Sequence, residues 1–122
     1  MTSTVPAPPK GTAASGRKLW REVLEAYELD QHEVALLREL VRTVDQLDVL
    51  ADLVAEQGTM IDSPTGPRMH PAVVEARQQR IAAARLTAVL RLPGGAEDDR
   101  IEGRRQQRRV GARGVYGVRG VA

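Results

Sequence analysis

The sequence predicts an all-α fold, in which a short N-terminal helix precedes a long central helix and a third helix that together form a helical hairpin. Three observations predict this fold. Apolar residues recur at helical spacing in three segments of residues 16–92. Between the last two segments, residues 59–70 are rich in turn-forming residues, which favours a short loop or β-hairpin. Residues 1–15 and 93–122 carry Gly, Pro, Ser or Arg without apolar periodicity, so we expect a flexible arm and a flexible tail.

The composition limits both the core and the chemistry. The 122-residue chain has no Phe, one Trp, two Tyr and no Cys. A Leu, Val and Ala core of roughly 75 residues is near the lower limit of independent stability, so we expect a homo-oligomer. Without Cys, disulfides, thiolate metal sites and a Cys nucleophile are excluded. No apolar run approaches the roughly 18 residues of a membrane span and no signal peptide is evident, so we expect a cytoplasmic protein without a membrane partner.

Charge is distributed unevenly along the chain. Residues 100–122 hold seven arginines and one acid, a net charge of 7 − 1 = +6. Because the whole chain carries +2, residues 1–99 carry 2 − 6 = −4. A basic tail beside an acidic body suggests a polyanion or an acidic protein surface as the partner.

The first helix is predicted from about Ser15 to Tyr27. Its apolar face consists of residues at i, i+1, i+4, i+5 and i+8, namely Leu19, Trp20, Val23, Leu24 and Tyr27. A cationic group opens the helix and includes one residue of the arm: Lys10, Arg17, Lys18 and Arg21. These residues form either an anion-binding surface or an ordinary polar helix face.

The second helix is predicted from about Gln31 to Gln57, with Asp30 and Glu33 as an acidic capping box and Gly58 as its end. One apolar stripe follows a coiled-coil-like spacing, and we expect it to mediate oligomerisation through Leu36, Leu40, Leu47, Leu50 and Val54. A second stripe lies beside it: Val34, Leu37, Val41, Val44 and Ala51. The two stripes face either two different neighbours or a single broad core.

The third helix is predicted from Pro71 to about Leu90. Pro71 suits the first helical position, and His70 before it is interpreted as a capping or loop-anchoring residue. An apolar side is formed by Val74, Ile81, Ala84, Ala88 and Leu92. The preceding Ser-Pro-Thr-Gly-Pro sequence predicts the turn of the short hairpin.

The sequence contains few candidate catalytic residues. His32 and His70 lie far apart in the sequence, and we interpret His32 as solvent-exposed. Asp45, Asp48 and Asp52 have the spacing of a solvated helix face, which argues against a specific Mg²⁺ site. No glycine loop precedes a Lys-Ser/Thr pair, so no phosphate loop is expected. We predict no catalytic residue, no metal and no cofactor.

The basic tail is the clearest chemical feature. Its arginines can neutralise phosphates, and its tyrosine can stack on a base or enter an apolar groove. The candidate residues are Arg104, Arg105, Arg108, Arg109, Arg113, Tyr116 and Arg119. Two alternatives stay open: the tail docks as an extended peptide on another protein, or it is only a solubilising segment.

Several segments occur in a familiar order. They are Gly-Arg-Lys-Leu-Trp at 16–20, Tyr-Glu-Leu-Asp at 27–30, Arg-Thr-Val-Asp at 42–45, the loop at 58–66, and His-Pro at 70–71 followed by Glu-Ala-Arg. In this order the chain resembles the small terminase subunits of tailed double-stranded DNA phages, particularly those of actinobacterial hosts. The resemblance covers roughly residues 16–92, although no clear N-terminal helix-turn-helix is present.

The resemblance implies a non-catalytic, ring-forming protein of the infected bacterial host's cytoplasm. Such a protein binds double-stranded viral DNA for packaging and regulates the large terminase subunit, which carries the ATPase and nuclease. From their charge and position, we expect Lys10, Arg17, Lys18 and Arg21 to bind DNA and the tail to contact DNA or the large subunit. The alternative is a helical adaptor or assembly factor that grips an acidic protein partner through its basic tail without binding DNA.

Overall fold

The computed structural model describes residues 4–92 and 107–108. Within these described residues, three helices and four two-residue strands follow one another: α1 (Ala14–Ala26), β1 (Tyr27–Glu28), α2 (Gln31–Gln57), β2 (Met60–Ile61), β3 (Arg68–Met69), α3 (Pro71–Leu90) and β4 (Gln107–Arg108). The predicted all-α fold is confirmed, with α2 and α3 as the hairpin and a short β-ribbon between them.

The central helix α2 carries the core because α1 and α3 both pack against it. The main cluster of buried side chains joins all three helices: Trp20, Val23, Leu24, Leu37, Leu40, Val41 and Leu90. A smaller cluster lies towards the hairpin end of α2, where Leu50 meets Ala72 and Ala76 of α3. The small alanine side chains allow the two helices to approach closely at that point.

Both ends of α2 follow their local sequence. The predicted capping box is present, since the Asp30 side chain accepts from the backbone N–H of Glu33 and the Glu33 carboxylate accepts from that of Asp30 at 2.7 Å. The helix ends at Gly58, whose φ of 90° is a backbone conformation that favours glycine.

The residues predicted to mediate oligomerisation pack largely inside their own chain. Leu40 is 3% exposed in the main cluster and Leu50 is 8% exposed against α3. The other three are half-buried against the two clusters: Leu36, Leu47 and Val54. Within this chain, α1 and α3 thus bury Leu40 and Leu50 of the stripe. A role of the stripe in oligomerisation stays a prediction.

Other apolar side chains are exposed. Val49 of α2 is 57% exposed, and α3 exposes Val74, Ile81 and Val89 by 44%, 42% and 58%. These four side chains, unlike the buried Leu40, are accessible to another molecule.

The connection between α2 and α3 is the predicted hairpin. Met60 pairs with Met69 and Ile61 with Arg68 in antiparallel register. Backbone hydrogen bonds in both directions between Ser63 and Gly66 close its turn. The ribbon leads directly into α3, whose first residue is Pro71.

Part of the N-terminal arm packs against the helices within the described residues. Val5 packs against the main core cluster, and the Trp20 indole N–H donates to the carbonyl of Pro6 at 2.8 Å. A buried indole requires an acceptor, and the proline-rich backbone supplies one because its carbonyls are not used by a helix. The arm thus covers α1, which itself begins at Ala14.

One part of the predicted flexible tail is placed by strand pairing. Gln107 and Arg108 form β4, which runs antiparallel to β1, with Tyr27 opposite Arg108 and Glu28 opposite Gln107. The sequence does not predict this strand, since Gln and Arg have no marked β-propensity and the partner strand is 80 residues distant. Apart from these two residues, the tail lies outside the described residues.

Within the described part of the chain, no helix combines the length and the apolarity that crossing a membrane requires.

Candidate nucleic-acid interface at the start of α1

The start of α1 is capped by a side chain from α2. Its N-cap residue, Ala13, has no side chain that can accept a hydrogen bond. Instead, the Asp45 carboxylate accepts from the backbone N–H of Ala13 through Oδ2 and from that of Gly16 through Oδ1, each at 2.7 Å. These amides are unsatisfied at an uncapped helix start, and a negative charge there also interacts favourably with the helix dipole. Asp45 therefore fixes the start of α1 on α2.

Gly16 is necessary for this contact. An added Cβ would lie 2.5 Å from Asp45 Oδ2 and 2.8 Å from Thr12 Cγ2, closer than a real Cβ approaches its neighbours. A larger residue at this position would displace the carboxylate from the two amides that it accepts from. The glycine thus allows the helix backbone to approach Asp45.

A tight turn joins the arm to α1. The backbone N–H of Thr12 donates to the carbonyl of Pro9 at 3.2 Å, and Gly11 has a φ of 84° within the turn. The Arg17 guanidinium donates to the carbonyl of Thr12 at 2.7 Å. Arg17 therefore braces the turn as well as adding positive charge.

The four predicted DNA-binding residues are exposed, and three of them share one face. At 3.6 residues per turn, Arg17, Lys18 and Arg21 fall within roughly 100° of the α1 circumference. Arg17 and Arg21 also line a groove against arm residues 5–8. The helix and the packed arm thus hold these cations on one ordered surface.

Lys10 occupies a different place. It lines a second groove with Arg42, Asp45 and Gln46, between the arm and α2. Arg42 pairs with Glu39 at 2.8 Å, an ion pair between two exposed side chains. The structure therefore divides the predicted cationic group into an α1 face and a separate position beside α2.

The α1 face also carries acids. Glu25 lines the same groove as Arg17 and Arg21, and Glu22 is exposed on the same helix. Three cations and two carboxylates leave α1 with a net charge of 3 − 2 = +1. A phosphate backbone would therefore be attracted mainly at the N-terminal half of the helix, where the cations precede the acids.

The tail candidates are mostly outside the described residues. This holds for Arg104, Arg105, Arg109, Arg113, Tyr116 and Arg119. The backbone of Arg108 belongs to β4 and lies beside Tyr27. The tail is therefore joined to the body at the opposite end of α1 from the cationic face.

The two histidines agree with their interpretation from the sequence. His70 is 6% exposed; its Nδ1 accepts from the backbone N–H of Ala72 at 2.9 Å, and its Nε2 lies 2.7 Å from Gln57 Oε1. Because Nδ1 accepts, the proton is placed on Nε2, which donates to Gln57. His70 thus caps α3 and ties it to the end of α2, whereas His32 is exposed.

Among the described residues, one group has the composition of a metal site. Ligand atoms of Asp30, His32 and Glu33 lie within 4.8 Å of one another. Asp30 and His32 are exposed, and the Asp30 and Glu33 carboxylates already form the capping box of α2. The capping box accounts for the proximity of the two carboxylates, so the group carries no metal assignment.

The role of Asp45 does not follow from the sequence, in which its spacing with Asp48 and Asp52 is that of a solvated helix face. One signal does point to it: the predicted α1 begins in Ala-Ala-Ser-Gly without a capping box, so its amides require an acceptor from elsewhere. No spacing rule identifies which of the acids supplies that acceptor. Comparison with known proteins gives no match to a family model, a curated protein or a solved structure.

Proposed function

We propose that the protein is a small terminase subunit, a non-catalytic DNA-binding protein that recognises viral DNA for packaging and regulates the large terminase subunit. In this proposal it acts as a homo-oligomeric ring in the cytoplasm of the infected bacterial host. The observation that carries the proposal is the exposed cationic face of Arg17, Lys18 and Arg21 at the braced start of α1. A rigid cationic face can hold phosphates in a fixed register.

Two segments of the family resemblance support this assignment because they meet in space. Gly16 opens the first segment and Asp45 ends the Arg-Thr-Val-Asp segment, and the two residues are joined by a hydrogen bond. The two segments are thus in contact, and their hydrogen bond fixes the cationic helix α1 on α2.

Ring formation in this proposal uses the exposed apolar side chains rather than the buried α2 leucines. Val74 and Ile81 are seven residues apart on α3, about two helical turns, and lie on one exposed face. Assembly would also raise the effective concentration of weak DNA contacts, because several copies engage one duplex.

DNA binding is tested by fluorescence anisotropy with a labelled duplex at two salt concentrations. Lys18→Gln with Arg21→Gln removes two cations from α1 without touching the Arg17 brace. Each lost phosphate contact should reduce the slope of log K against log salt by about 0.9. The matched control, Arg77→Gln with Arg80→Gln, removes two exposed charges from α3 and should leave the slope nearly unchanged.

Equal effects of the two pairs would refute the α1 site. The adaptor alternative is supported by the net charge of +6 on residues 100–122. Absence of duplex binding at low salt, together with tail-dependent binding of an acidic polypeptide such as poly-Glu, would favour the adaptor over the terminase subunit.

A further inference from the structure

An apolar groove lies between the three helices. Leu19 and Val23 line it from α1, Tyr27 from β1, Val44 from α2 and Ala83 from α3. The groove has a volume of about 540 Å³, within the roughly 300–1,000 Å³ range typical of ligand pockets. A groove lined mainly by aliphatic side chains favours an apolar occupant.

We propose that the C-terminal segment of the same chain, residues 109–118, docks in this groove. Its sequence is Arg-Val-Gly-Ala-Arg-Gly-Val-Tyr-Gly-Val, and Val115, Tyr116 and Val118 are its apolar anchors. Tyr116 is the one aromatic residue of the tail, and an aromatic side chain gains more from burial than any other type.

Strand pairing brings the segment to the groove. In the antiparallel register Arg108 lies opposite Tyr27, which itself lines the groove. Because the strands are antiparallel, the chain after Arg108 leaves the pair at the end where α1 joins β1. The next residues therefore start beside the groove and on the side of its α1 wall.

The segment is long enough to reach every part of the groove. Leu19 lies on α1 eight residues before Tyr27, which directly follows the helix, and this separation corresponds to about 12 Å of helix. An extended chain covers this distance in about four residues, and the sequence continues for 14 residues beyond Arg108. Val115 to Val118 can therefore reach any part of the groove.

Charge and connectivity favour the segment over an external peptide. Glu22 lines the groove, and the segment carries Arg109 and Arg113 before its apolar anchors. Because β4 already holds Arg108 on the body, docking is intramolecular and proceeds at the high effective concentration of a short tether. Docking covers Tyr116, so a partner that binds this tyrosine must compete with the groove.

The absence of cysteine from the chain allows a direct test. A nitroxide attached to Gly117→Cys in the full-length protein places a spin label beside Tyr116, and methyl NMR then reports its distance from Leu19, Val23 and Val44. We expect strong loss of these methyl signals. A nitroxide at Thr65→Cys, in the hairpin turn beyond the other end of α2, should leave the same signals unchanged.

Two further samples separate docking from simple tethering and from exchange between chains. In the Gly117→Cys background, replacement of Val115, Tyr116 and Val118 by Ser should restore the methyl signals, whereas Arg119→Gln should not. Unchanged signals with the label at 117, or broadening that survives the triple replacement, would overturn the proposal. Broadening in a mixture of methyl-labelled unmodified protein and spin-labelled unlabelled protein would overturn it in favour of the segment of a second copy.

Discussion

The carboxylate of Asp45 accepts hydrogen bonds from both ends of the first turn of α1, and its closest helix neighbour is Gly16, whose amide lies 2.7 Å from Oδ1. The contact joins two helices by a capping interaction that usually forms within one helix. Since Arg17 follows Gly16 directly, the same contact also positions the first cation of the proposed DNA-binding face.

Gly16→Ala should destabilise the protein by about 1–3 kcal/mol, measured as the free energy of unfolding in urea. Alanine normally favours a helix by about 1 kcal/mol over glycine. Here its Cβ would displace Asp45 Oδ2, 2.5 Å away, so the cap is lost. In an Asp45→Ala background the same substitution should cost less. Strictly additive costs in the two backgrounds would contradict the coupling between these residues.

Asp45→Ala alone should cost about 1–2 kcal/mol of unfolding free energy, because two amides of the α1 start lose their acceptor. Asp48→Ala is the matched control, an exposed carboxylate of the same helix without a hydrogen bond to α1. Its effect should stay within about 0.5 kcal/mol. Similar costs for both variants would show that Asp45 acts only through general charge.

His70→Ala should cost about 1–3 kcal/mol, since it removes the cap of α3 and leaves the Ala72 amide without its acceptor. His70→Asn retains an acceptor suited to an N-cap and should recover part of this loss. Gln57→Ala should cost less than His70→Ala, because Gln57 is exposed and water can replace it. Equal unfolding free energies of the Ala and Asn variants at 70 would contradict the capping role.

Because the arm packs against Trp20, removal of the arm should change the fluorescence of this tryptophan. Trp20 is the single tryptophan and is 3% exposed, with its indole N–H bound to Pro6. Removal of residues 2–8 should shift its emission to longer wavelength and increase quenching by iodide, because water replaces the arm. Unchanged emission would mean that the arm does not cover Trp20 in solution. Retained helical circular dichroism serves as the control for folding.

Leu40→Asp and Val49→Asp should separate folding from assembly. Leu40 is buried in the chain's own core, so a charge there should cost several kcal/mol and unfold much of the protein. Val49 is 57% exposed, and its replacement should leave the circular dichroism spectrum unchanged. If self-association uses these exposed apolar side chains, Val49→Asp or Ile81→Asp should lower the mass measured by light scattering. An unchanged oligomeric mass in both variants would exclude Val49 and Ile81 from the contact.

The helices and most of their ends follow from short-range patterns in the sequence. Apolar periodicity identified three helical segments, and short-range signals identified the Asp30–Glu33 capping box, Gly58 as a helix end, and His70 with Pro71 as the start of α3. These features depend on residues within a few positions of one another. Local backbone geometry is therefore enough to specify them.

Contacts between residues that are distant in the sequence depend on the tertiary fold. Asp45 lies 29 residues from Gly16 and β4 pairs with a strand 80 residues before it, distances over which spacing carries no information about contact. The burial of Leu40 inside its own chain is likewise not specified by its spacing. An apolar stripe shows that a surface will be buried, but only the packing of α1 and α3 determines that the same chain buries it.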